Sequence, residues 1–203
     1  MFIKKRPITL TTLNNNSSQR TLELLAPAKN LTCGIAAVDH GADAVYIGAE
    51  RFGARSAAGN SVEDIGRLCA YAHPFGVKVY VTVNTIVYED ELEATQNLIW
   101  DLYRVGVDAI LVQDMGLLKL QLPPIALHAS TQTDNRTAEK VNWLTSLGFE
   151  RVVLARELSV REIADIHRRL PHAELEVFVH GALCVSYSGV CYASQHCFGR
   201  SAN

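Results

Sequence analysis

Two cysteines, Cys184 and Cys191, stand with six residues between them in a Gly/Ser/Tyr-rich stretch, directly after the run Glu174-Leu-Glu-Val-Phe-Val-His-Gly181. Cysteines on such a loop can converge on iron as thiolate ligands, as helix-buried ones cannot. On spacing alone they can equally be small apolar fillers. His180 precedes Cys184 by four residues, so a thiolate–imidazolium pair for nucleophilic attack is the competing chemistry. Against it, a cysteine that ligates a metal is not free to attack, and no orienting carboxylate or amide stands at a recognisable spacing. Glu176 shares a period-two face with Phe178 and His180, opposite Leu175, Val177 and Val179. That face is polar, and Glu176 reads either as an acid lining an interior or as a carboxylate paired with an arginine. Cys33 and Cys69 fall within helical patterns and read as core packing.

These groups need a scaffold, and the rest of the chain supplies a repeating one. Leu22–Ala26, Ala44–Gly48, Val77–Val83, Ala109–Gln113, Ile125–Ala129, Arg151–Ala155 and Leu175–Val179 read as seven strands. Between them Leu92, Leu98, Ile99, Leu102 and Val105 mark one face of a helix, and Ser159-Val-Arg-Glu162 is a capping box. Gly41, Gly76, Gly106 and Gly148 each stand a few residues before the next strand, as helix C-caps do. The repeated unit is βα. No Gly-rich phosphate loop follows the first strand, where Pro27-Ala-Lys-Asn30 stands instead. The pattern therefore predicts an α/β fold of the (β/α)8-barrel type, incomplete at about seven units, rather than a doubly wound sheet. Residues 1–20 read as a flexible tail and 21–203 as a truncated barrel domain ending in the cysteine loop. The turn-rich segment reaches Asn203 without a closing helix, which predicts a fragment of a longer polypeptide.

In a barrel, chemistry gathers at the C-terminal ends of the strands. This nominates Glu50, Asn84, Asp114, Ser130, Gln132, Glu157 and His180. His128, Ser130 and Gln132 alternate, placing three polar groups on one side of strand five, suited to the edge of a planar ligand or to a buried structural network. Arg55, in Phe52-Gly-Ala-Arg-Ser56, reads as a grip for an anionic group or as a solvated loop residue. Arg200 reads as an anion contact or as part of a frayed chain end.

Bulk properties bound the partners. With 48% apolar and 20% charged residues the chain can bury a sizeable core, and a net charge of −2 supplies no overall basic field for nucleic acid. No apolar run reaches membrane-spanning length, and the polar Thr11–Ser18 interrupts any signal peptide. Five cysteines without a disulfide framework fit a reducing, cytoplasmic setting.

Leu24-Leu-Ala-Pro-Ala28, Gly41-Ala-Asp-Ala-Val-Tyr-Ile-Gly48, His128-Ala-Ser-Thr-Gln132 and Glu176-Val-Phe-Val-His-Gly-Ala-Leu-Cys-Val-Ser-Tyr-Ser-Gly-Val-Cys191 resemble the collagenase-like peptidase family U-32, over about Thr21 to Asn203. The resemblance implies an oxygen-independent hydroxylase that modifies a tRNA or rRNA base, or a ubiquinone precursor. It further implies a four-iron four-sulfur cluster with Cys184 and Cys191 as the first two ligands and the others beyond Asn203, and prephenate as hydroxyl source in some members. Cys197 ranks below those two. RNA would be held through regions outside this chain. Two rival readings remain, a peptidase acting through Cys184 or a metal, and a non-catalytic binding module. An open barrel edge predicts marginal solubility or a homodimer.

Overall fold

The computed structural model describes residues 22–50, 59–181, 186–190 and 196–197. The tail at 1–20 and the sites Arg55, Cys184, Cys191 and Arg200 lie outside the described residues.

Seven strands form one sheet: β1 Leu25–Ala28, β2 Ala44–Gly48, β3 Lys78–Val83, β4 Ala109–Val112, β5 Ala126–Ala129, β6 Arg151–Val153 and β7 Glu174–Glu176. Each pairs in parallel with its chain neighbour, in the order β1 to β7. Parallel neighbours require crossovers. Five are α-helical: α1 Leu31–Asp39, α2 Val62–Ala72, α3 Leu92–Arg104, α4 Ala138–Ser146 and α5 Val160–Arg169. The result is a half-barrel with helices outside, and β1 and β7 are its edges among the described residues.

Local chemistry explains these elements. Asn30, Ser61, Thr137 and Ser159 each cap a helix by accepting from a backbone N–H in its first turn, and Ser159 completes its capping box with Glu162. The four expected C-cap glycines all have positive φ, between 70° and 97°. On the outer face, Val45, Ile47, Val79, Val81, Ile110, Val112 and Val152 pack against Ile65, Leu68, Ile99, Leu102, Val141 and Leu144 of the helices. Each such burial contributes roughly 1.5–3 kcal/mol. The inner face is smaller: Ala44, Tyr80, Ala109, Leu111 and Val153, with Leu25, Tyr46 and Ala126 against them.

Four expectations need correction. The β4–β5 crossover is not an α-helix but a short 3-10 segment, Met115–Lys119, capped by Asp114; Pro123 and Pro124 follow and cannot extend a helix. The first strand starts at Leu25, not Leu22, because β2 pairs from Ala44 onward and Asp43 instead ties down the Leu24 N–H. The seventh ends at Glu176, not Val179: β6 pairs with it only as far as Val153, and Val177, Phe178 and Val179 are exposed. Cys33 is exposed on α1, whose buried positions are Gly34 and Val38. Cys69 is buried as expected, and burial pushes its thiol up to about 12.

Candidate functional site

Strand register sorts the inward-facing residues into rows. Gly48, Thr82, Leu111, His128, Arg151 and Glu174 lie side by side across β2 to β7. Two residues further along each strand comes the next inward row at the C-terminal end: Glu50, Asn84, Gln113, Ser130, Val153 and Glu176. Five of these six are polar, whereas the outer face of the same strands is aliphatic. Alternation of side-chain direction makes the row, and parallel register aligns it.

The interior polar groups divide into two sets. Toward the N-terminal end, the Arg151 guanidinium reaches from β6 to Glu23, ahead of β1, at 2.5 and 3.3 Å, and to Glu174 at 3.1 Å. Tyr80 donates to both oxygens of Glu23 at 3.0 and 3.1 Å, and Arg151 lies over its ring at 5.4 Å. Burial pushes the Glu23 carboxyl up, but the hydrogen bonds and charge of Arg151 outweigh it and hold Glu23 below its ordinary value. Every charge in this set has a partner, and together they buckle β6 and β7 to the start of β1.

Nearer the C-terminal end the balance changes. Gln113 Oε1 and Glu176 Oε2 on that row, and His128 Nδ1 beside Arg151 on the row below, are buried and have no hydrogen-bond partner among the described residues. Glu176 Oε2 is 3.7 Å from Arg151 Nη1, too far for a hydrogen bond. Burial, against the opposing Arg151 charge, raises Glu176 to about 7. Burial and the nearby Arg151 lower His128 to about 4, so its imidazole is neutral, its ring edge-on to Tyr80 at 4.8 Å. Asn84 donates to Ser130 Oγ at 3.2 Å.

Above this row, residues 186–190 are anchored on the loops after β5 and β6. Ser188 is fully buried. Its N–H donates to Glu157 Oε1 at 2.6 Å, its hydroxyl accepts from Arg156 N and Nε at 3.4 and 3.3 Å, and Thr131 Oγ1 lies 3.4 Å away. Gly189 N donates to Gln132 Oε1 at 3.3 Å, and Arg136 lies 4.9 Å over the Tyr187 ring. Burial pushes Glu157 up, but the N–H groups of Glu157 and Ser188 outweigh it and hold the carboxyl below its usual range. Gly189 has φ 79°, and a Cβ there would meet Gln132 O at 2.6 Å, so a side chain is excluded on both grounds. The anchored residues fall between Cys184 and Cys191 in sequence.

The predicted site residues thus separate. Asn84, His128, Ser130 and Glu176 come together on the inner wall, and Glu50 is on the same row but exposed. Gln132 leaves it: β5 ends at Ala129, and Gln132 sits in the 3-10 turn Thr131–Thr133, holding Gly189. Asp114 is spent on the backbone N–H groups of Val87 and Gly116. His180 is exposed, four residues past the end of β7, so it does not share the inner face with Glu176. Sequence reasoning passed over Gln113 in favour of its neighbour Asp114, although the alternation Ala109, Leu111, Gln113 signals the inward position. Among the described residues no three His, Cys, Asp or Glu side chains group as a metal site.

Comparison with known proteins matches residues 29–203 to the model of peptidase family U32. The 23S rRNA 5-hydroxycytidine synthase of Escherichia coli (strain K12) is 55% identical over 92% of this chain, which covers 28% of that protein. The tRNA hydroxylation protein P1 of Bacillus subtilis (strain 168) is 37% identical over 89% of this chain and is covered over 44% of its length. The chain thus spans less than half of either relative. Among solved structures, the U32 peptidase Mk0906 superposes with a TM-score of 0.64 at 15% identity, covering 83% of this chain and 73% of that one, which supports the fold.

Proposed function

The chain belongs to peptidase family U32, and from that membership and the barrel mouth we propose that it is the barrel portion of an oxygen-independent hydroxylase acting on an RNA base. The observation that carries this reading is the 55% identity, over nearly the whole chain, to an rRNA 5-hydroxycytidine synthase. The mouth supports it. A base taken out of its stack is read by hydrogen bonds to its edge, and the inner wall offers buried groups without hydrogen-bond partners among the described residues for that purpose. A peptidase is less well supported, because His180, its general base, is exposed beyond β7 instead of lining the mouth.

A four-iron four-sulfur cluster and prephenate enter the proposal as redox group and hydroxyl source. By the family resemblance, ligation would fall to Cys184 and Cys191, which lie outside the described residues, with cysteines outside this chain. When bound, the cluster supplies electron transfer. This chain's own part is positional: Glu157, Arg156 and Gln132 hold the segment between the two cysteines against the barrel mouth. Grip on the RNA backbone, a matter of local positive charge, is assigned to the rest of the protein. A cytoplasmic setting accords with this substrate, and no described helix is long and apolar enough to cross a membrane.

The test is nucleoside mass spectrometry of rRNA and tRNA from cells lacking the full-length protein, complemented with wild type or with Cys184→Ala. The expected result is one oxidised base that vanishes in the deletion and returns only with wild type. An unchanged nucleoside profile in the deletion strain would sink the reading.

A further inference from the structure

Tyr187 is an exposed ring on a tightly held backbone. Ser188 beside it is fully buried, with its N–H on Glu157 Oε1 at 2.6 Å, and the Gly189 N–H is on Gln132 Oε1 at 3.3 Å, yet Tyr187 itself is 62% exposed. The clamp fixes where the ring stands without covering it. The Arg136 guanidinium lies over the ring at 4.9 Å, and Arg136 is in turn paired with Asp134. A tyrosine has only two side-chain torsions, and one on a fixed backbone with a cation against it has little freedom left to lose when a second ring stacks on it.

Position and charge narrow what that second ring is. Tyr187 stands over the loops that follow β5 and β6, at the barrel mouth. Other exposed rings stand elsewhere: Phe75 follows α2 and Tyr103 is in the last turn of α3, and helices that return from the mouth place both at the opposite end of the barrel. Arg136 has its charge answered by Asp134 and by nearby Glu157, so the Tyr187–Arg136 pair offers a π-face rather than a net positive charge. That suits a neutral planar group, not a phosphate.

We propose that Tyr187 is a stacking platform for the nucleotide next to the base that enters the mouth. The proposal rests on the RNA-base reading. Taking one base out of its stack leaves a face of its neighbour bare, and an aromatic side chain in the vacated position offsets that cost. Every base has a π-face, so the contact is indifferent to base identity. It neutralises no phosphate, so unlike a lysine or arginine contact it adds nothing to the salt dependence of binding.

The test measures retention of rRNA and tRNA from cells lacking the protein on the anaerobically purified full-length protein, over a series of salt concentrations. Tyr187→Leu keeps an apolar side chain but removes the ring; it is expected to weaken binding by about tenfold with an unchanged salt slope, while Tyr187→Phe and Tyr187→Trp keep wild-type affinity. Ultraviolet cross-linking of wild type, which needs no variant, is expected to join a nucleotide to the peptide carrying Tyr187, and carries the test should Tyr187→Leu melt below wild type. Wild-type affinity in Tyr187→Leu, a weakened variant with a shallower salt slope, or cross-links that avoid this peptide would overturn the platform. Loss of a co-purifying protein from Tyr187→Leu with RNA retention unchanged would make the ring a protein contact and overturn it equally. A wild type that retains no RNA would remove the RNA reading along with the platform, whereas RNA retained equally by wild type and Tyr187→Leu would remove the platform alone.

Discussion

The two ends of the barrel interior hold similar residues in opposite states. Around Arg151, the charges of Glu23 and Glu174 and the Tyr80 hydroxyl are partnered, at 2.5 to 3.3 Å. Around Glu176, more deeply buried polar atoms have no hydrogen-bond partner among the described residues, and Glu176 meets Arg151 only at 3.7 Å. A satisfied interior network rigidifies, whereas an unsatisfied one is a cost that a bound ligand can offset. The lower set ties the strands together, whereas the upper set holds buried polar atoms without hydrogen-bond partners among the described residues. In a parallel α/β barrel this division is expected, because stability concentrates at the N-terminal face and chemistry at the C-terminal face.

The largest way to break the comparison is to remove the hub of the satisfied set. Arg151→Met leaves Glu23, Glu174 and Glu176 without their common cation, and urea denaturation is expected to show a loss of about 3–5 kcal/mol. A loss below about 1 kcal/mol, the scale of a surface pair, would mean the buckle is not structural. Next, Ser188→Ala removes a buried hydroxyl that serves Arg156 and Thr131, and about 1–3 kcal/mol should be lost locally. Limited proteolysis should then cut near residues 186–190 while the barrel core stays resistant. Gly189→Ala should open the same segment by steric exclusion, and global unfolding of either variant would contradict a local anchor.

Titration sharpens the contrast. Glu176 has an ordinary value of 4.5 and is held near 7 in the fold, so the folded state takes up its proton first. The neutral form is thus favoured on folding, and wild type should lose stability as pH rises from about 4.5 to about 7, with the full cost present above that. Glu176→Gln, which cannot ionise, should lack this loss; parallel stability curves for the two proteins across that range would refute the raised carboxyl. His128 runs the other way, since burial lowers it to about 4 and stability falls as pH drops from about 6.5 through 4. It is common to both proteins, so their difference isolates Glu176. The smallest effect is Tyr80→Phe, which removes the hydroxyl shared by the Glu23 oxygens and should cost about 0.5–1.5 kcal/mol by thermal melting.

How much of this was legible beforehand follows from what each signal reports. Strand β2 was read to its last residue, and the capping box at Ser159 and the glycine-terminated helices stand where the pattern put them. These are local facts: caps, positive φ and period-two alternation depend on neighbours a few residues apart. His128, Ser130 and Glu176 were legible as inward polar positions for the same reason. Gln113 was not, because strand-end reading favours the first charged residue and cannot see that Asp114 serves the backbone of the next turn.

By itself, then, the sequence determined the parallel βα repeat, the polar alternation on its inner face and the cysteine-bearing segment after the last strand. The tertiary structure alone decided which of those polar groups are satisfied. Arg151 meets Glu23 across 128 residues of chain, Ser188 meets Glu157 across 31, and His180 falls outside because β7 stops at Glu176. Local propensity records what a few neighbouring residues prefer; whether a buried atom finds a partner depends on strand register and curvature, which are properties of the assembled sheet.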